Sequence, residues 1–330
     1  MRIATFNLES LDLPPRAATP IEVRADALRP ALERLRADIL CLQEINGQHI
    51  PGKKKRELVA LDRVLEGTRY AGYHRIATSG IGTKASVADV HNLVTLSRYP
   101  FRAHREILHA LVDPLRRRAI TSVPRDAEAV AVRFDRPLLQ ADIDLPGGQR
   151  LTVINLHLRA PLASNVAGQK LEPFVWKTVG GWAEGYFLSA MRRAGQALEL
   201  RLALEQAFDA EPHALIAVAG DFNAEDHEVP LKIVAAAEED TGNAELSSRA
   251  LVMLDRAIPA DRRWSVLHHG RPQMLDHILA SRALNALFTS IEAHNEMLSD
   301  ELVAYARHSR SSGSYHAGIV AEFALPRRAN

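Results

Sequence analysis

Polar side chains that could do chemistry end or interrupt apolar, strand-like runs at five places in this chain. Burying a polar group costs free energy unless the group is paired, so an acid, amide or imidazole at such a place has a purpose. Each place alone is a weak signal, because a single Asn or Glu at a strand end is most often a cap or a turn residue. The five places are Thr5-Phe6-Asn7, Leu42-Gln43-Glu44, Ile154-Asn155-Leu156-His157-Leu158, Gly220-Asp221-Phe222-Asn223-Ala224-Glu225, and the late pair Leu275-Asp276-His277 and Ser314-Tyr315-His316.

Two of these places offer oxygen atoms of the kind that magnesium binds. Glu44 supplies a carboxylate, and Asn7 can supply an amide oxygen to the same site. Magnesium usually takes one or two protein carboxylates and keeps several waters and substrate oxygens. Asp221 and Asn223 alternate along an extended turn, so both side chains can point into one pocket.

Taken together, the order and types of these residues resemble the endonuclease/exonuclease/phosphatase superfamily. That superfamily includes pancreatic deoxyribonuclease, abasic-site endonucleases, inositol-polyphosphate phosphatases and sphingomyelinases. The resemblance spans nearly the whole chain, from Ile3 to Phe323. It is carried most specifically by Leu42-Gln43-Glu44, Asn155-Leu156-His157-Leu158 and Gly220-Asp221-Phe222-Asn223, with Leu96-Ser97-Arg98-Tyr99-Pro100 as a further match.

The resemblance implies a Mg²⁺ or Mn²⁺ ion held by Asn7 and Glu44, and in-line attack of water on a phosphoester. Asp221 would orient or deprotonate that water, and Asn223 would donate to the phosphate. The metal would act as a Lewis acid that neutralises charge on the leaving oxygen. The activity implied is that of a phosphodiesterase or nuclease.

Three further residues receive roles from the same resemblance. His157 would donate to a non-bridging phosphate oxygen, and donors aimed in this way are typically worth about 10²–10³ in rate. His316 would contact the scissile phosphate, and Asp276 would fix its tautomer and orientation, as the carboxylate of a hydrolase triad does. His277, the neighbour of Asp276, is interpreted as structural.

The superfamily commonly has Ser-Asp-His where this sequence has Ser314-Tyr315-His316, so Tyr315 replaces the expected aspartate. A neutral phenol is a poor Mg²⁺ ligand, so the metal site is weakened; Tyr315 could instead stack on a base or sugar, or hydrogen-bond a phosphate. This departure leaves a catalytically silent binding protein open. The near-neutral charge leaves a sugar- or lipid-phosphate phosphatase open as well.

Three side chains are additional candidates for substrate binding. Trp176 and Lys177 lie between His157 and the longest predicted helix, where they could stack on a base and pair with a phosphate. An ordinary aromatic anchor beneath a loop is the alternative for Trp176. Arg98 belongs to the matching run that ends at Pro100.

Composition limits the partners and the setting of the protein. The 330 residues carry a net charge of +1, which does not indicate a basic stripe for nucleic acid. No stretch approaches the length of apolar residues that spans a membrane, and Met1–Asn7 leads directly into a strand without a signal peptide. We therefore expect a cytoplasmic protein. The resemblance implies a phosphoester substrate, either nucleic acid or a small phosphorylated molecule; no protein partner can be inferred.

The single cysteine, Cys41, lies in an apolar run and is expected to be a buried thiol.

The elements that must position these residues are short apolar strands alternating with amphipathic helices. Most of the strands are apolar on both faces, as expected of sheets that are covered on both sides. Helical spacing is found at Ile21–Leu35 with Pro30 as a kink or restart, at Leu58–Leu65, from about Phe187 to Phe208, and after Pro230. The predicted strands are Arg2–Asn7, Ile39–Glu44, Val90–Leu96, Ala129–Phe134, Leu138–Leu145, Leu151–Leu158, Leu215–Gly220, Met274–Ala280 and His316–Phe323, with a hairpin turn at Pro146-Gly147-Gly148.

Strands and helices mix throughout without a linker-like tract. We therefore predict one α/β domain over residues 1–326, followed by a short tail at 327–330. With the resemblance, the fold class is a four-layer α-β-β-α sandwich of the deoxyribonuclease type, with two packed mixed β-sheets flanked by helices.

Overall fold

Two six-stranded sheets dominate the computed structural model, which describes residues 1–17, 19–80, 83–306 and 311–325. We number their strands in chain order. They are β1 Arg2–Leu11, β2 Ile39–Ile45, β3 His74–Ala77, β4 Asn92–Ser97, β5 Phe101–Ile107, β6 Leu138–Asp144, β7 Arg150–His157, β8 Leu215–Asp221, β9 Leu251–Met253, β10 Asp276–Ser281, β11 Phe288–His294 and β12 Gly318–Phe323.

Both sheets are mixed, because each contains one parallel pair at its centre. The first sheet has the order β11-β12-β1-β2-β4-β3, with β1 parallel to β2. The second has the order β9-β10-β8-β7-β6-β5, with β7 parallel to β8. The other neighbours run antiparallel.

The helices lie between these strands along the chain. They are α1 Ile21–Leu35, α2 Val59–Leu65, α3 Val179–Ala210, α4 Val229–Ala235, α5 Glu238–Thr241, α6 Arg282–Asn285 and α7 Glu301–Ala306, with short 3₁₀ helices at Arg69–Gly72, Ala244–Arg249 and Leu254–Ala257. Five two-stranded ribbons pair Gln48–His49 with Arg56–Glu57, Ser79–Gly80 with Thr83–Val87, Leu115–Arg117 with Val130–Val132, Lys170–Glu172 with Val175–Trp176, and Val266–His268 with Arg271–Gln273.

Three separate hydrophobic clusters show how the layers stack. One joins the first sheet to α1 and α2 through residues such as Leu28, Leu61 and Val94. Another joins the second sheet to α3 and α4. The central cluster joins the two sheets. Three cores between successive layers confirm the predicted four-layer sandwich.

The core between the sheets is rich in small side chains. It contains Cys41, which is fully buried as a free thiol, as predicted, and whose pKa burial raises to about 12. Because many neighbours are alanines, the two sheets can approach each other closely at these positions. The alanines are Ala141, Ala217, Ala219, Ala280, Ala293, Ala317 and Ala321.

Buried amides connect the two sheets through hydrogen bonds. Gln43 Nε2, on β2, donates to Asn155 Oδ1, on β7, over 2.8 Å. Asn155 Nδ2 in turn donates to the backbone oxygens of Leu42 and Val94, over 3.2 and 3.1 Å. Thr5 Oγ1 donates to Gln43 Oε1 over 3.2 Å. A network of this kind satisfies buried polar groups in one register of the sheets only.

Several elements differ from the sequence-based prediction. Segment Ala129–Phe134 forms only the short strand Val130–Val132 in a ribbon outside the main sheets. Strands β3, β5, β9 and β11 were not predicted; all four are edge strands, and β5 exposes most of its side chains, so no apolar run marks it. Helix α1 runs through Pro30 without a restart.

Helix α3 begins at Val179, earlier than the Phe187 that the apolar spacing indicates. Thr178 caps it, with Oγ1 accepting from Gly181 N over 2.9 Å. Glycines in the first turns hide this start, because glycine has low helix propensity. One of them, Gly185, leaves room for Trp176, since a Cβ there would lie 2.8 Å from its ring.

No helix within the described ranges is both long and apolar enough to cross a membrane. The predicted tail at 327–330 and the predicted domain end at 326 lie outside those ranges.

Replacing Gly220 with Ala should lower the free energy of unfolding by about 3 kcal/mol, near the upper end for an over-packed core. Gly220 faces Leu156 across the parallel pair, and a Cβ there would lie 2.1 Å from the Leu156 backbone oxygen. Urea unfolding followed by circular dichroism measures the change. The control is Gly72→Ala, whose Cβ would meet nothing within 4 Å; equal unfolding midpoints for the two variants would contradict the prediction.

Candidate active site

Strand ends from both sheets meet at one edge of the sandwich. Because β7 pairs with β8 and β8 with β10, His157 lies beside Asp221 and Asp221 lies opposite Asp276. In the first sheet, Asn7 pairs with Gln43, so Glu44 follows at the same edge. The structure thus gathers the polar strand ends that the sequence singled out.

The amide of Asn7 bridges the two sheets. Its Nδ2 donates to Glu44 Oε1 over 3.2 Å and to Asp221 Oδ2 over 3.1 Å. Its Oδ1 accepts from the backbone N–H of Glu9 over 2.9 Å. Asn7 therefore holds two carboxylates from different sheets within reach of one another, with its amide nitrogen directed towards them.

Glu44 occupies a position of unusual backbone geometry. Its φ of 61° lies in the left-handed region, at the bulge where the register between β1 and β2 shifts. Ser10 donates to Glu44 Oε2 from its backbone N and its Oγ, over 2.8 and 3.0 Å. Burial opposes ionisation of Glu44, but the neighbouring histidines His91 and His316 and the Asn7 amide outweigh it and lower its pKa.

Asp221 is buried, and burial together with the nearby carboxylate of Asp276 raises its pKa to about 7. Its Oδ1 accepts from the backbone N–H of Asn223 over 2.8 Å. The Asn223 side chain points back, because its Nδ2 donates to the Leu158 oxygen over 3.1 Å. The Asn223 backbone oxygen accepts from the buried guanidinium of Arg193 over 2.5 Å, which fixes this turn.

His157 faces both carboxylates. Its Nε2 lies 3.4 Å from Asp221 Oδ2 and 3.8 Å from Glu44 Oε1. Its Nδ1 contacts Nη1 of Arg136. Because a guanidinium can only donate, Nδ1 accepts and Nε2 carries the proton. Burial and the Arg136 charge lower the pKa of His157 well below its usual value, so the ring is neutral.

Arg136 is a site residue that the sequence analysis missed. It lies in the connection before β6, outside any strand or motif. Its backbone oxygen accepts from Gln196 of α3 over 2.7 Å, which anchors the connection to the helix. In the sequence, Arg136 is marked only by its place before Pro137, and a charged residue before proline is too common to indicate a site.

His316 and Asp276 form a buried ion pair between the sheets. His316 Nδ1 lies 2.8 Å from Asp276 Oδ2. Ser314 Oγ positions the segment by donating to the Asn7 backbone oxygen over 2.7 Å while accepting from His316 N over 3.0 Å. Burial opposes protonation, yet the charges of Asp276 and Asp221 raise the pKa of His316 well above its usual value, so Nε2 is a proton donor.

His277 packs away from this pair and is part of the fold. Its Nε2 lies 2.9 Å from the Ala224 oxygen, and its Nδ1 lies 3.2 Å from a carboxylate oxygen of the buried Asp255. Burial opposes protonation, but the Asp255 charge raises the pKa of His277 to about 8.

His91, just before β4, is the second residue that the sequence analysis missed. Its ring is nearly parallel to that of His157, with 6.2 Å between centroids. Its φ of 57° is left-handed. Burial lowers its pKa although Glu44 opposes the shift, so the imidazole is neutral near neutral pH. The predicted strand Val90–Leu96 ran through His91 and gave no reason to single it out.

Within the part of the chain that the structure describes, two groups of side chains could hold a metal ion. Glu44, His91 and His157 form one, and Asp221, Asp276 and His316 the other; within each, the candidate ligand atoms lie within 4.8 Å of one another. Glu44 and Asp221 share one amide donor, and Asp276 adds a third carboxylate beside Asp221. A divalent cation suits that donor set.

Arg98 does not join the site, which corrects the prediction of a substrate contact. Ser97 pairs with Ile39 at the start of β2, whereas Glu44 lies near the end of that strand. Arg98 therefore lies at the opposite edge of the sheet, where its exposed side chain pairs with Asp38 over 3.2 Å.

Trp176 and Lys177 also lie outside the cluster. Trp176 packs against α3 near Gly185, and Lys170 Nζ lies 4.9 Å from its ring centroid. Lys177 is exposed, and its backbone N–H donates to the Gln169 oxygen. Their described contacts are to the ribbon and the helix, as expected of an aromatic anchor.

Tyr315 is buried next to the site. Its hydroxyl accepts from the backbone N–H of Ser311 over 2.8 Å. With Ser10 and Arg24 it lines a polar cavity of about 390 Å³. The residue is 2% exposed, so a base or sugar cannot stack on the face of its ring in this arrangement.

Comparison with known proteins gives one family and many similar folds. The model of the Endonuclease/Exonuclease/phosphatase family matches residues 4–300. No curated protein sequence matches the chain. An AP endonuclease from Archaeoglobus fulgidus is similar in structure, with 18% identity, a TM-score of 0.56, and 98% of this chain and 100% of that chain covered.

Two further solved structures are similar over the same extent. A 3′ phosphatase from Neisseria, bound to a product DNA hairpin, has 16% identity and a TM-score of 0.55, with 98% of this chain and 100% of that chain covered. An endonuclease/exonuclease/phosphatase from Bacteroides vulgatus has 14% identity and a TM-score of 0.58, with 98% of each chain covered. At these identities the likeness establishes the fold.

Replacing Asp221 with Asn should stabilise the metal-free protein, and more at pH 8 than at pH 5. The pKa of Asp221 is about 7 in the folded state against an ordinary 3.8, so its stabilising contribution is full below pH 4 and lost as pH rises through 7. The shift sets an upper bound of about 4 kcal/mol, and we expect about 2 at pH 8 because the asparagine keeps part of the hydrogen bonding.

Urea unfolding in EDTA at both pH values measures this difference against wild type. Asp113→Asn, at an exposed carboxylate, is the control and should show no such pH dependence. A gain equal at both pH values would mean that the pKa of the Asp221 carboxyl is not raised.

Proposed function

The chain belongs to the endonuclease/exonuclease/phosphatase family, whose members hydrolyse phosphoesters with a divalent metal, and we propose that it is a phosphodiesterase acting by in-line attack of water. The observation that carries the proposal is the meeting of Asn7 and Glu44 with His157 and Asp221, from opposite sheets, at 3.1 to 3.8 Å. Such a set combines hard oxygen ligands, a base and a donor at one edge.

Asp221 is the base of the proposed reaction. The water proton passes to its carboxylate as the new bond from oxygen to phosphorus forms and the bond to the leaving oxygen breaks. A pKa of about 7 suits this task, because a base poised near the working pH is both ionised and able to hold the proton. The Asn223 N–H bond keeps Oδ1 fixed, so Oδ2 is left to face the pocket.

His316 and His157 supply hydrogen bonds to the phosphoryl oxygens. Asp276 keeps His316 charged and directs its other nitrogen outward. Arg136 keeps the His157 proton on Nε2, which faces the carboxylate pocket. Donors fixed before the reaction stabilise the charge that develops in the transition state without reorganising.

Glu44 and Asn7 would hold the divalent metal, Mg²⁺ or Mn²⁺. When bound, the metal neutralises charge on the phosphoryl and leaving oxygens. To offer its amide oxygen, Asn7 would exchange the bond that this oxygen accepts from Glu9 N–H, together with the two that Nδ2 donates to Glu44 and Asp221.

Nucleic acid is the first substrate class to test, because the similar structures include an AP endonuclease and a 3′ phosphatase bound to DNA. A small phosphorylated molecule is the alternative, and the net charge of +1 agrees with a modest electrostatic demand. Arg98 pairs with Asp38 at the opposite edge, and the described contacts of Trp176 are to the ribbon and α3, so we assign the phosphate contacts to His157 and His316.

Hydrolysis of bis(p-nitrophenyl) phosphate tests the proposal directly. We expect turnover in Mg²⁺ or Mn²⁺ that EDTA abolishes, and a loss of about 10²–10³ in kcat for His316→Ala, since one aimed donor is removed. His213→Ala, at an exposed histidine between α3 and β8, is the control. Wild type that binds metal but turns over no phosphoester would support a silent binding protein instead.

The Asp276→Asn variant should move the high-pH limb of the rate profile to lower pH. Asp276 raises the pKa of His316, so activity that needs the charged imidazole persists well above pH 6.5 in wild type. With the carboxylate gone, His316 loses its proton at lower pH and the limb follows. The pH dependence of kcat/KM measures the shift; an unchanged limb would show that His316 does not act as the charged donor.

A further inference from the structure

His91 and His157 have parallel rings beside Glu44, but they differ in which nitrogen is available. Arg136 donates to Nδ1 of His157, so Nε2 of that ring carries the proton, and a protonated nitrogen has no lone pair for a metal. Among the described residues, no group hydrogen-bonds Nδ1 of His91, although that atom is buried. A buried polar nitrogen without a partner is costly and needs a reason.

The backbone of His91 does not depend on its imidazole. A φ of 57° is rare for a residue with a side chain, and glycine adopts it without steric cost. The hydrogen bond from His91 N to Asn46 Oδ1, over 2.9 Å, holds this conformation. Glycine suits this conformation, so replacing His91 with glycine removes the imidazole without straining the turn.

The imidazole lies where a ligand would be placed. The candidate ligand atoms of His91, Glu44 and His157 lie within 4.8 Å of one another. Glu44 directs Oε1 into the pocket because Ser10 holds Oε2. With the Asn7 amide, Glu44 and His91 would supply three ligands and leave the other positions to water and substrate oxygens.

We propose that His91 is a metal ligand acting with Glu44, and that the site therefore selects a transition ion such as Mn²⁺, Co²⁺ or Zn²⁺ over Mg²⁺. Imidazole nitrogen binds Co²⁺ and Zn²⁺ well and Mn²⁺ more weakly, whereas Mg²⁺ is bound through oxygen. The inference rests on the proposed function only in placing the metal at Glu44. His157 stays the hydrogen-bond donor that Arg136 makes it.

The test measures metal binding to the full chain without substrate, so it gives an answer even if no phosphoester is hydrolysed. Cobalt absorption in the visible range reports nitrogen ligation, and calorimetry gives the Mn²⁺ and Mg²⁺ dissociation constants. The variant is His91→Gly, which removes the imidazole and suits the backbone. The matched control is His269→Gly, because His269 is an exposed histidine with a φ of 48°.

We expect His91→Gly to weaken Co²⁺ and Mn²⁺ binding at least tenfold and to change the cobalt spectrum. A tenfold loss of metal affinity is the least expected, because mutating a residue that only hydrogen-bonds a metal ligand already costs about that much. Mg²⁺ binding should change less than about threefold, and the urea midpoint should not fall. His269→Gly should match wild type. If His91→Gly does not fold, His91→Asn replaces it, because asparagine tolerates the left-handed conformation.

Three results would overturn the proposal. The first is wild type that binds no Co²⁺ or Mn²⁺, and the second is unchanged cobalt absorption and Mn²⁺ affinity in the folded His91 variant. The third is a loss of Co²⁺ and Mn²⁺ affinity in His157→Gln that the His91 variant does not show, since this would make His157 the nitrogen ligand.

Discussion

The side-chain amides of Gln43 and Asn155 hydrogen-bond to each other between the two sheets, and the distances at the catalytic edge depend on that contact. Hydrophobic packing between two sheets specifies their spacing but tolerates sliding, whereas a buried amide pair is satisfied in one register alone. Asn155 also bonds the backbone of Leu42 and Val94, so it spans two strands of the facing sheet. Residues that follow in each strand, Glu44 and His157, are thereby brought face to face.

Neighbouring ionisable groups in the pocket have pKa values that are shifted in different directions. Burial raises the pKa of Asp221, while the carboxylates around His316 raise the pKa of that imidazole. Burial and Arg136 lower the pKa of His157. Three groups within a few ångströms thus become a base, a charged donor and a neutral donor, which is how a single fold runs acid and base chemistry near neutral pH.

Sequence reasoning located the part of the site that lies at strand ends, because an acid, amide or imidazole at the end of a buried strand is costly to desolvate unless it is paired or used. It missed Arg136, which comes from a connection where no periodicity applies, and His91, which the predicted strand Val90–Leu96 contained without marking it. It placed Arg98 wrongly at the site, because the family-like run around it covers the far end of a strand whose start, at Asn92, faces the catalytic edge. Edge strands such as β5 were missed because their exposed side chains form no apolar run. The start of α3 was missed because its glycines have low helix propensity.

Substitutions in the alanine-rich core between the sheets have a different consequence from substitutions in the two outer cores. The outer cores, between a sheet and its helices, can lose or gain a methyl group at a cost to stability alone. In the central core, a larger side chain at Ala219 or Ala317 pushes apart the layers that carry the two halves of the pocket. Selection on such a substitution therefore acts through catalysis as much as through folding, and the outer layers are where the sequence is freer to drift.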